Sequence, residues 1–132
     1  MRTLLILALT FVITGASQTD SITTAQMATG RLWNVLFEEG KTSYVMAVHD
    51  ATVLKLMGSP STPTEDNIEW AAGFVIKDYM SELDVFYKDL ENIRIPIPLA
   101  IRFCTTKLKG QTKKDDLEHQ LMALRKLASI WK

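Results

Sequence analysis

Two pairs of residues set a histidine near a carboxylate, an arrangement that metal binding and acid–base chemistry both use. His49 and Asp50 are adjacent, so on a helix they point about a hundred degrees apart and cannot both close on one ion. Asp115 and His119 stand one helical turn apart and could donate two ligands. They would still need completing: the chain has only two histidines, and its one cysteine, Cys104, cannot form a pair. Both pairs therefore read as polar helix surface. Cys104 could serve as a nucleophile only with a base in reach and an electropositive, exposed setting. Arg102 and Lys107 supply charge nearby. However, Cys104 shares the apolar face of Ala100, Ile101 and Leu108, which predicts a buried thiol, with an intermolecular bridge as the alternative.

Asp78, Glu82, Asp84, Asp89 and Glu91 are dense enough to suggest a hydrolytic carboxylate pair, but a run of this kind usually forms a solvated face. No Gly-x-Ser-x-Gly turn activates a serine, and no glycine-rich loop cradles a phosphate. The basic run Arg102, Lys107, Lys109, Lys113 and Lys114 could attract an acidic partner. Asp115, Asp116 and Glu118 follow directly and neutralise it. No metal or cofactor is expected from these residues.

The elements that carry these groups occupy a chain of 132 residues whose start reads as a targeting segment. Arg2 gives a positive beginning, Leu4 to Ile13 is almost wholly apolar, and Thr14-Gly15-Ala16 offers the small residues a signal peptidase accepts. Residues 1–16 are thus expected to be a signal peptide cleaved before Ser17, and the apolar run is about half the ~20 residues a membrane span needs. Removing Arg2 leaves 14 positive against 15 negative groups, so the mature chain is near neutral and not built for long-range attraction to nucleic acid. Residues 17–28, rich in Ser, Thr and Gln, read as a flexible leader. Residues 29–132 are sized for one domain with one core.

Helical spacing dominates that domain. A short segment from Thr29 or Gly30 carries Leu32, Trp33, Leu36 and Phe37, and Glu38-Glu39-Gly40 is expected to break it. A second helix is expected from Lys41 to Met57, with Tyr44, Val45, Ala47, Val48, Ala51 and Leu54 on one face and a stop at Gly58-Ser59-Pro60. Its far side carries Met46, Val53 and Met57, interleaved with Ser43, His49 and Asp50, so it is apolar on two sides. The third helix has the clearest start, Thr62-Pro63-Thr64-Glu65. It would run to Tyr87 along Ile68, Ala71, Ala72, Val75, Tyr79, Leu83 and Phe86, with Trp70 and Phe74 displaced from that stripe and a bend between Asp78 and Ser81.

Pro96 and Pro98 then turn the chain. Ile93, Ile95 and Ile97 are expected to form a short extended connector facing the core, with Arg94 in water and Pro98 opening the next helix. That helix should end at Gly110. Thr112 should start the last one, lined by Leu117, Leu121, Leu124, Ala128 and Trp131. The result is an all-α, compact single-domain bundle of four to five helices.

Gly30-Arg31-Leu32-Trp33, Lys41-Thr42-Ser43-Tyr44-Val45, and Phe86-Tyr87-Lys88-Asp89 leading to Asn92-Ile93-Arg94-Ile95-Pro96-Ile97 resemble small exported bacterial proteins of uncharacterised function. More distantly, a signal peptide followed by a small helical domain is similar to the Rap/Tai-type immunity proteins that neutralise type VI secretion effectors. The second resemblance implies a periplasmic or extracellular, non-enzymatic protein acting by protein–protein contact, its partner a secreted effector. A small hydrolase-like or metal-dependent enzyme, and a small-ligand carrier, are the alternatives. The expected contact surface is Met46, His49, Asp50, Val53 and Met57, and a second copy of the chain is a further candidate partner.

Overall fold

The computed structural model describes residues 22–24, 26–58, 73 and 75–131. The expected signal peptide, the cap at Thr62-Pro63-Thr64-Glu65, and Ile68, Trp70, Ala71, Ala72 and Phe74 lie outside them. Among the described residues five α-helices form one bundle: α1 (Gly30–Val35), α2 (Glu38–Gly58), α3 (Ile76–Lys88), α4 (Ile97–Lys109) and α5 (Lys114–Ile130). Among the described residues no helix is long and apolar enough to cross a membrane.

α3 is the central element, packing against α1, α2 and α4, while α5 packs against α4. Its sequence explains this. Tyr79, Leu83, Phe86 and Tyr87 recur at helical spacing and are all buried, so one face of a 13-residue helix presents four large side chains inward. Trp33, Val45, Ile95, Ile97, Ala100, Ile101, Cys104 and Ala128 complete the core. Tyr87 meets Phe86 edge-to-face at 5.0 Å and donates its hydroxyl proton to the Ile95 carbonyl at 2.9 Å. Its ring lies so close to the start of α1 that a Cβ at Gly30 would fall 2.2 Å from Tyr87 Cδ1. Only glycine permits that approach.

The leader is not wholly frayed. Its last residues pair as a small antiparallel hairpin, β1 (Thr23–Thr24) with β2 (Met27–Ala28), turned by Gln26 in the left-handed region at φ 63°. Thr29, fully buried, donates both its N–H and its hydroxyl proton to the Ile22 carbonyl, and a single β-bridge joins it to Pro96. The corner therefore has a strand-like partner at one residue.

The turn itself is wound rather than extended. Asp89 accepts the Glu91 N–H on its side chain at 3.0 Å, which starts a 3-10 turn over Leu90–Asn92. Ile93 then takes helical dihedrals. Ile95 and Ile97 are buried as expected, but Ile97 already belongs to α4 and Pro98 sits in its first turn. Proline is tolerated there because the missing N–H would have had no helical acceptor.

Three helix boundaries differ from the sequence expectation. α1 ends because Leu36 turns extended (ψ 139°); Glu38, Glu39 and Gly40 belong to α2, where the two acids stabilise its N-terminal end. The expected third helix does not pass through Val75, which is extended and 52% exposed; α3 begins one residue later, and Asp78 to Ser81 run through it without a bend. α5 starts at Lys114, not Thr112, with no side-chain cap. The stop at Gly110, φ 66°, occurs as expected.

Candidate functional site

All five residues expected to form a contact surface lie on α2, but they do not form one strip. Met46 is 45% and Met57 79% exposed, and Asp50 is exposed between them, whereas His49 and Val53 are half-buried. His49 Nδ1 and Asp50 Oδ1 approach to 3.3 Å, so these neighbours reach each other although their helical directions diverge.

The phase of the helix is rotated from the one expected. Val45 is buried and Tyr44, Val48, Thr52 and Leu56 are partly buried, but Ala47, Ala51 and Leu54 face solvent, Leu54 being 69% exposed. The cause is visible at the N-terminal end of α2. Lys41 Nζ donates to Asp84 Oδ1 at 2.6 Å and the Thr42 hydroxyl meets Met80 Sδ at 3.2 Å. Two polar contacts to α3 thus set the rotation of a helix whose apolar residues occupy every side. The exposed side therefore runs through Met46, Ala47, Asp50, Ala51, Leu54 and Met57.

Four of the candidate carboxylates hold elements of the fold together. Glu82 accepts from Lys107 at 2.6 Å, linking α3 to α4. Asp84 accepts from both Lys41 and the Trp33 indole N–H, at 2.6 and 2.8 Å, linking α3 to α2 and α1. Asp89 and Glu91 both pair with Arg125 of α5, the former at 2.6 Å. Arg125 Nε adds a bond at 2.8 Å to Asn92 Oδ1, and Asn92, itself buried, donates to the Phe86 carbonyl. A hydrolytic pair needs two carboxylates facing one substrate; Glu82 and Asp84 each face their own lysine, and Asp89 and Glu91 are both engaged by Arg125. Asp78 is exposed, as are Asp115 and His119 on α5. Among the described residues no three His, Cys, Asp or Glu side chains are grouped to hold a metal ion.

Cys104 is 1% exposed, and burial first, then the Glu82 charge, pushes its thiol up to about 12. A thiol held neutral in this way is a core residue and a poor nucleophile. The basic run is partly paired: Lys107 serves Glu82 and Lys114 lies 3.8 Å from Glu118. The Arg125 and Asp84 networks were missed because each joins residues far apart in the chain, and the exposure of Leu54 had no local signal at all. No family model, curated protein or solved structure matches this chain.

Proposed function

We propose that this is an exported protein that acts without catalysis, by protein–protein contact, as an inhibitor or immunity-like protein working in the periplasm or outside the cell. The observation that carries the reading is the solvent side of α2, where Met46, Leu54 and Met57 are 45, 69 and 79% exposed along one helix, with Asp50 among them. Flexible, polarizable side chains on an exposed apolar strip suit an adaptable docking surface. The use of Glu82, Asp84, Asp89 and Glu91 in ion pairs between helices supports a scaffold more than a reaction centre. The apolar start of the chain with its small residues at Thr14-Gly15-Ala16 supports export, and the resemblance to immunity proteins suggests a secreted effector as partner.

The test is recovery of partners from the native envelope on the wild-type chain and on a Met46→Glu, Met57→Glu double variant. The variant is expected to stay folded and to lose capture. Unfolding of the variant, or unchanged capture, overturns the assignment of this surface. The intact mass of the recovered chain should begin at Ser17; full-length chain in the membrane fraction contradicts export.

A further inference from the structure

We propose that the solvent side of α2 pairs with the same helix of a second copy, in parallel, to form a two-fold dimer. The proposal deepens the reading of α2 as a contact surface and rests on it. Exposure along the helix follows a seven-residue pattern: Ala47, Ala51, Leu54 and Gly58 alternate at steps of four and three and all face solvent. This is the spacing of a coiled-coil seam. Leu54, 69% exposed, is the projecting side chain, and the alanines leave room for it while letting the axes approach toward the lower end of the usual range of about 8–10 Å.

The charges beside this seam select the occupant and its direction. Asp50 lies on one flank and Lys55, five residues later, on the other, both exposed. In a parallel pair the two flanks cross, so Asp50 of each copy meets Lys55 of the other, giving two symmetric ion pairs. In an antiparallel pair each flank meets itself, and Asp50 would face Ser43 or Met57 instead. The surface carries one acid and one base, so its complement is itself, and a uniformly acidic or basic partner gains nothing from it.

Sedimentation equilibrium of the purified chain, at concentrations up to the millimolar range, tests the association, and cysteine cross-linking tests its direction. Ala47→Cys and Leu54→Cys, made separately, should each form a disulfide-linked dimer, because every seam position of a parallel pair meets its own copy. The two sites are roughly 10 Å apart along the axis, so an antiparallel pair could bridge at most one of them. Buried Cys104 does not compete. Asp50→Lys should weaken association by about tenfold at low salt, and adding Lys55→Asp should restore it. A strictly monomeric chain, cross-linking at one position only, or indifference to the charge changes each overturns the proposal. A monomer that still captures another protein through Met46 and Met57 defeats the dimer alone, whereas unfolding of the Met46→Glu, Met57→Glu variant defeats the surface itself.

Discussion

The indole N–H of Trp33 donates to Asp84 Oδ1 at 2.8 Å, joining α1 to α3 across 51 positions of sequence. Lys41 reaches the same oxygen at 2.6 Å and lies 5.1 Å from the centre of the Trp33 ring. One carboxylate thus locates both α1 and α2 against α3, and the lysine also offers a cation to the aromatic face.

The two interactions should differ in weight. Trp33 is fully buried, so Asp84→Ala leaves its N–H without an acceptor and is expected to cost about 1–3 kcal/mol. Asp84→Asn keeps an acceptor and should cost less. The Lys41–Asp84 pair is partly solvated, the carboxylate side chain being 45% exposed, so Lys41→Met should cost less than about 1 kcal/mol. Urea unfolding of the three variants checks the order. If Lys41→Met proves as damaging as Asp84→Ala, the indole bond is not what the carboxylate chiefly serves.

What the sequence discloses depends on whether a local rule and the tertiary contacts agree. Tyr79, Leu83 and Phe86 are legible because their spacing leaves only one face to bury, and Gly110 because a left-handed residue at a helix end favours glycine. Cys104 sits among Ala100 and Ile101 and is buried with them. α2 fails the same test: apolar residues surround it, so no phase is preferred until Lys41 and Thr42 find Asp84 and Met80. Leu54 is consequently turned outward together with Ala47 and Ala51, seven and three positions before it, which share its side of the helix.

The corner shows a different failure. The prolines correctly mark a place where no helix can pass, but they say nothing of Asp89, whose side chain winds the next residues into a turn, or of Arg125, which holds that turn from α5. Four carboxylates that look like a catalytic cluster in one dimension are divided by the fold among three cations, with Asp89 and Glu91 sharing Arg125. The candidate contact residues were legible as a group on one helix; which of them face out was not.

Burial at the corner gives a sharp mutational contrast between neighbours. Ile95 is fully buried, its N–H bonded to the Asn92 carbonyl and its carbonyl to the Tyr87 hydroxyl. Ile95→Asp would place an unpaired carboxylate there and should cost about 3 kcal/mol or more. Arg94 is exposed and contributes a bond to the Trp131 carbonyl at 3.0 Å, so Arg94→Ala should cost within about 1 kcal/mol. Equal urea midpoints for the two variants would overturn this account of the corner.

Cys104 makes the fold sensitive to high pH. Its thiol moves from an ordinary 9.0 to about 12 in the folded chain, through burial first and the Glu82 charge second, with Lys107 opposing. The folded state therefore keeps the proton where the unfolded state releases it, and the native form has the higher proton affinity. The sign follows: the thiol's contribution to stability is complete below about 9 and is lost as pH rises toward 12. Burial shifts the Tyr87 phenol the same way, so the Cys104→Ala variant should retain part of the decline but fall less steeply than wild type between these limits. Urea midpoints measured across the interval supply the comparison, and identical slopes would remove the thiol as their source. At pH 8 a thiol reagent should label the native chain slowly and the urea-unfolded chain at once; rapid native labelling would mean that Cys104 is open to solvent and that the packing of α4 against α3 is not as described.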